Sequence, residues 1–186
     1  IQIDKNMIGQ IIDEWPLVAG VARLAQGKPI GKDAQELRVK ERDRIKARYV
    51  MEGLKMIGYD AINLGERDFL LGSSFLLEMR DKHELPFISA NIYLPDSTTR
   101  FVKPYVIKEY SSGGFHLFKK PLKVGIFGIM MKRPTLVYRD DNLNLITIDP
   151  IESARDIVKE LKGKCDIIIS LAHMTSFQIN KLVAEV

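Results

Sequence analysis

Three charged residues, Glu66, Arg67 and Asp68, follow directly on a short apolar run of Ala61, Ile62 and Leu64 that Gly65 closes. A second residue able to do chemistry, His173, stands just beyond the β-branched run Asp166-Ile167-Ile168-Ile169-Ser170-Leu171. Short apolar runs bounded by turn-forming residues read as buried strands. In an open α/β sheet the carboxyl ends of the strands are where ligands are held. A carboxylate and an imidazole brought to one such edge could share a divalent metal ion, because oxygen and imidazole nitrogen both suit one. Two plainer alternatives stand beside this. Residues 66–68 can be a solvated turn with an ion pair, and His173 a hydrogen-bonded structural residue at a strand end. Asn91, at the end of Phe87-Ile88-Ser89-Ala90-Asn91, either orients a loop or closes its strand. His83 in a charged helix tail and His116 in an insertion read as surface residues. No glycine loop of the phosphate-cradling kind is present, since Ser112-Gly113-Gly114 lies in a hairpin turn.

The elements that must position these residues alternate. The least legible part is 1–40, with a helix opening after Pro16 over Leu17 to Leu24 and a loop from Gly27 to Lys32. Residues 43–57 are expected to form an amphipathic helix, with Ile45, Tyr49, Val50, Leu54 and Ile57 at helical spacing and Gly58 as its stop. A strand at 60–64 follows. Ser73 or Ser74 should cap a helix over Phe75 to Met79, and 87–91 should form the next strand. Residues 104–118 read as a hairpin-type insertion in which Phe115 to Phe118 answers Val102 to Tyr110. Val124 to Ile129 has the continuous apolar character of a buried strand. Asp149, Pro150 and Glu152 punctuate a helix start as N-cap, first helical residue and capping-box partner. Ile151, Ala154, Val158 and Leu161 are its expected inward stripe, and Gly163 its end. A last helix carries Phe177, Leu182 and Val183. Alternation of this kind predicts an α/β fold with a mostly parallel sheet and flanking helices.

Composition narrows the functional classes. The chain has 186 residues, of which 46% are hydrophobic and 28% charged, as in ordinary globular proteins, and can form one domain. The net charge of +4 comes from dispersed basic residues rather than a basic stripe with aromatics, which argues against a nucleic-acid polymer as partner. No apolar run reaches the roughly 20 residues of a membrane span. One cysteine, Cys165, excludes an intramolecular disulfide and a cysteine-built metal site, and reads as a small buried hydrophobe.

The ordered set of segments resembles the catalytic domain of calcineurin-like metallophosphoesterases, in the 5′-nucleotidase branch. The matching pieces begin with Ala19-Gly20-Val21-Ala22-Arg23 and continue through Met56 to Gly65. Ser89-Ala90-Asn91, Pro104-Tyr105-Val106-Ile107 and Lys123 to Gly128 come next, then Asp149-Pro150 and Ile169 to Met174. The resemblance implies a metallophosphoesterase-like layered α/β sandwich. It implies two divalent ions (Mn, Zn or Mg) that polarise a phosphoryl group and activate water, with a phosphate ester such as a nucleotide as substrate. It also implies a periplasmic or extracellular setting.

The family's central motif is Gly-Asn-His-Glu-Phe-Asp, whose Asn binds metal and whose His and final Asp assist catalysis. Laid on this chain, Glu66 takes the Asn position, Arg67 the His position and Leu70 the final Asp position. Glu66 can still ligate a hard cation. Arg67 cannot release a proton, but its guanidinium can clamp a phosphate. His173 matches a metal-ligand His. Glu66 and His173 are therefore the metal candidates, and Arg67 and Asn91 the substrate-binding candidates. The opening Asp-x-His motif is not intact, with Asp4 near its place. The Gly-Asp motif is not found between Arg23 and Glu36, and the closing Gly-His-x-His motif falls beyond Val186. The expectation is one domain, 1–186, incomplete at both ends. It is either a divergent phosphoesterase or a catalytically inactive relative that keeps the fold as a binding or scaffold module.

Overall fold

The structure, a computed structural model, describes residues 32–111, 120–133 and 143–186, with side chains from residue 40. The expected helix at 17–24, the segment 19–23, Asp4, the turn at 112–114, and Phe115 to Phe118 with His116 lie outside the described residues. The chain divides into two compact units, Ile1–Val50 and Met51–Val186.

Helix α1 runs over Lys32–Ile57 and stops at Gly58, whose amide donates to the Leu54 carbonyl at 3.2 Å. Its apolar residues do not make the expected single buried stripe. At 3.6 residues per turn, Ile45, Tyr49, Val50, Leu54 and Ile57 spread over roughly half the helix circumference. Tyr49 and Ile57 are 71% and 65% exposed, whereas Leu54 and Met51 pack against a core.

The second unit holds the remaining elements. Strand β1 (Ile62–Asn63) pairs in parallel with β2 (Phe87–Ile88), and β3 (Ile92–Tyr93) pairs antiparallel with β6 (Ile146–Thr147). A three-stranded sheet has the order β4 (Tyr105–Tyr110), β5 (Leu122–Met130), β7 (Ile167–His173). In it β5 and β7 are parallel, and β4 is antiparallel to β5. The described partner of β4 is thus the stretch Leu122 to Phe127 of β5, with Tyr105 opposite Phe127 and Tyr110 opposite Leu122. Helices α2 (Ser73–His83), α3 (Pro150–Leu161) and α4 (Ser176–Glu185) complete the unit.

Neither serine caps α2. Gly72 takes the N-cap position, and its carbonyl accepts the Leu76 amide at 3.2 Å. Asp149 caps α3 as expected, its carboxylate accepting the amides of Ile151 at 2.8 Å and Glu152 at 3.1 Å. The buried stripe of α3 runs through Ile151, Ala154, Ile157 and Leu161, with Val158 half-buried beside it. This stripe packs on Phe127 and Ile129 of β5 and on Leu182 of α4. Val124 and Ile126, at alternate positions along β5, pack instead on Ile88 and Ala61. A strand that buries both faces must be apolar at successive positions, which is why Val124 to Ile129 reads as a continuous run. The fold is α/β, and its central strand is β5.

Candidate active site at the carboxyl ends of β1, β5 and β7

The carboxyl ends of three strands meet at one edge. Beyond β1 the chain turns through a short 3-10 helix, Glu66–Phe69. Phe69 is fully buried among Leu64, Leu76 and Met130, with its ring 5.6 Å from that of Phe101, so the turn is nailed to the core at its last residue. At its first residue the Asp68 carboxylate accepts the Gly65 amide at 2.7 Å. Burial pushes the Asp68 carboxyl up from its ordinary value, opposed by that amide. Between these two fixed ends Glu66 is presented to the strand edge.

Glu66 and His173, 107 positions apart, are brought into contact: Oε2 of Glu66 lies 2.7 Å from Nε2 of His173. The Glu66 carboxyl is held below its ordinary value, first by its own backbone amide and then by His173 and Arg133. Register fixes His173, since it stands opposite Met130 in the β5–β7 pairing and its carbonyl accepts the Met131 amide at 2.9 Å. Close approach fixes the ring. A Cβ on Gly65 would stand 3.1 Å from Cδ2 and 3.2 Å from Nε2 of His173, so a glycine here lets the imidazole lie against the turn.

Arg133, three residues past β5, had no place in the sequence argument. Its Nη2 lies 3.7 Å from Oε1 of Glu66, so the carboxylate sits between an imidazole and a guanidinium. Asn63 was also missed: its Nδ2 donates to the Ile129 carbonyl at 2.9 Å, tying β1 to β5 just below the site. Gly128 makes room for it, because a Cβ there would stand 2.3 Å from Oδ1 of Asn63 and 2.8 Å from the Ile88 carbonyl. Neither residue has a local signature; both depend on contacts far apart in sequence.

The remaining candidates fall as follows. Arg67 is on the exposed side of the 3-10 turn, and Leu70 just after it is 63% exposed. Asn91 is fully buried. Its Oδ1 accepts the Met130 amide at 3.0 Å, and its Nδ2 donates to the carbonyls of Met130 at 2.8 Å and Ile148 at 3.2 Å. Both polar atoms of Asn91 are thus engaged in joining β5 to the segment after β6. Cys165 is half-buried against Gly125.

Glu66 and His173 are the right kinds of donor for a divalent ion, an oxygen and an imidazole nitrogen at one point. They are two, whereas a catalytic ion takes about three protein ligands. Among the described residues no cluster of three His, Cys, Asp or Glu side chains could hold a metal. The donors fit in kind, and the described residues supply part of a ligand set.

Comparison with known proteins bears on the fold and the family. No family model matches the chain. A 5′-nucleotidase of Vibrio cholerae is 28% identical over 178 residues, which are 94% of this chain and 30% of that protein. The crystal structure of the calcineurin-like phosphoesterase YfkN from Bacillus subtilis superposes with a TM-score of 0.55 at 26% identity, covering 67% of this chain and 37% of that one. The chain is a relative of the 5′-nucleotidases within the calcineurin-like metallophosphoesterase superfamily. It spans under a third of the length of the curated 5′-nucleotidases it matches. A 3-phosphoshikimate 1-carboxyvinyltransferase of Desulfitobacterium hafniense is 48% identical over 64 residues, but these are 34% of this chain and 14% of that enzyme. Such a stretch is too short to carry a fold or an activity against a metallophosphoesterase-like match over most of the chain.

Proposed function

We propose that this chain carries part of the catalytic edge of a 5′-nucleotidase-type phosphoesterase, with Glu66 and His173 as ligands to a divalent ion and a nucleotide or related phosphate monoester as substrate. The observation that carries the proposal is the 2.7 Å contact between these two side chains at the carboxyl ends of separate strands. A bound divalent ion would supply polarisation of the phosphoryl group and an activated water. The chain's own part is to present the two donors in the right state. Glu66 stays ionised because its own amide, His173 and Arg133 hold its carboxyl low. His173 must be unprotonated at Nε2 to ligate, so binding and protonation compete at that atom. Arg67 keeps its charge at every accessible pH, so it can hold a phosphate oxygen but cannot move a proton. The remaining ligands of such a centre would come from outside the described residues. By the same family likeness, the domain works in the periplasm or outside the cell. No helix among the described residues is long and apolar enough to cross a membrane.

A second reading, an inactive relative that binds without turnover, is favoured by one observation: only two metal donors converge among the described residues. Hydrolysis of nucleoside 5′-monophosphates and of p-nitrophenyl phosphate, measured with Mn²⁺ or Zn²⁺ and again after chelation, separates the two. The phosphoesterase reading expects turnover that chelation removes. No release of phosphate from either substrate with metal present would leave the binding module.

A further inference from the structure

Resting on the phosphoesterase reading, we infer that Arg133 is the phosphate-holding cation of this edge and that Thr147 is the residue that sets it in place. An edge that carries the Glu66 and Asp68 carboxylates repels a phosphate dianion unless a fixed cation faces it. Arg133 is that cation by position. It stands three residues past the end of β5, its guanidinium reaches toward the Glu66 carboxylate, and its side chain remains 45% exposed, open to an incoming anion.

The distance matters as much as the position. At 3.7 Å the contact with Glu66 is an ion pair beyond hydrogen-bond length, so the planar fork of N–H donors is not spent on the carboxylate. That fork is the geometry that grips two phosphate oxygens at once. A lysine would offer charge without the fork.

Pre-organisation is what distinguishes Arg133 from a passing surface arginine. The Thr147 hydroxyl oxygen accepts the Arg133 amide at 2.6 Å and donates its own proton to the Arg133 carbonyl at 2.7 Å. One side chain thus clamps both main-chain groups of one residue. Thr147 is only 6% exposed and lies in β6, opposite Ile92 of β3, so the clamp is part of the core. Sequence adds a further restriction, because Arg133 precedes Pro134, and a residue before proline is confined to extended backbone. The ligand class this predicts is a terminal phosphate dianion.

The test uses inorganic phosphate as the probe, with Mn²⁺ present throughout. Its dissociation constant is measured by calorimetry for the chain, Arg133→Ala, Arg133→Lys and Thr147→Val, beside the KM and kcat for p-nitrophenyl phosphate. Circular dichroism checks that each variant is folded. Arg133→Ala should weaken phosphate binding about tenfold or more, as expected for losing a hydrogen-bonded charge, and should appear chiefly in KM. Arg133→Lys should recover only part of this, and Thr147→Val should give a smaller loss in the same direction. Unchanged phosphate affinity in folded Arg133→Ala or Arg133→Lys overturns the assignment and leaves the phosphoesterase reading intact. Absence of phosphate binding in the parent chain overturns both.

Discussion

The two ends of the sheet region both carry clustered charges, yet they differ in what those charges do. At the end opposite the candidate site, Asp60 just before β1 accepts a hydrogen bond from Tyr110 at 2.7 Å and pairs with Lys108 at 2.8 Å. Nearby, Lys55 pairs with Glu84 at 2.6 Å. These groups line a cleft of about 290 Å³ with Leu54, Tyr59 and Pro86. Every carboxylate there has its own cation at hydrogen-bond length. Lys108, followed by the Tyr110 hydroxyl, holds Asp60 below its ordinary value, and the cluster ties β4 to the start of β1. At the carboxyl end, one carboxylate is shared between an imidazole in contact and a guanidinium held off at 3.7 Å. A cleft with saturated pairs is a clasp. At the carboxyl edge Glu66 and His173 meet at 2.7 Å, but Arg133 stays beyond hydrogen-bond length and half-exposed, so that edge keeps a cation open to a ligand.

Substitutions at the two ends should have unequal effects. The largest effect should come from His173→Ala, which removes a proposed ligand and should lower metal-dependent phosphatase activity about 100-fold or more, since losing even a supporting partner of a metal ligand costs about 10–100-fold. Gly128→Ala should be next. The added Cβ would overlap Asn63 Oδ1 and the Ile88 carbonyl, so the site's footing between β1 and β5 should lose roughly 1–3 kcal/mol in chemical denaturation. Asp149→Ala, far from the edge, should cost about 1 kcal/mol through the lost cap of α3 while leaving KM alone. Asp60→Asn at the opposite end should change stability by only about 0.5 kcal/mol and leave phosphatase activity as it was, since exposed pairs contribute little.

The smallest effect is a pH dependence. The Thr99 amide and hydroxyl, with the Thr98 amide, lower the Asp96 carboxyl to about 2 from its ordinary 3.8. A depressed carboxyl stabilises the fold above its unfolded value. That contribution is therefore present above about pH 4 and is lost as pH falls toward 2. Asp96→Asn should flatten the pH dependence of thermal stability in that window, with a modest loss at neutral pH and least difference from the parent near pH 2.

Local signals carried much of this fold. The Asp149-Pro150 start of α3, the stop at Gly58 and the apolar run of β5 are written in neighbouring residues, and the strand-end positions of Glu66 and His173 followed from them. What could not be read depends on distance in sequence. The clamp of Thr147 on Arg133 joins residues 14 apart across two elements, and nothing in Met130-Met131-Lys132-Arg133 announces it. Gly128 looks like one more small residue in an apolar run until Asn63 is seen against it. Asn91 could orient a loop or close its strand by sequence, and only the fold shows its amide bonded to both main-chain groups of Met130 in β5. Ser73 and Ser74 resemble caps, but the chain reaches α2 through Gly72 at a φ of 89°.

Whether Glu66 and His173 form part of a divalent-metal site is decided by the manganese and zinc retained by the chain after dialysis, beside folded His173→Ala. Roughly one equivalent or more is expected in the parent and its loss in the variant, as removal of a ligand requires. Metal retained equally by both, or by neither, would contradict it.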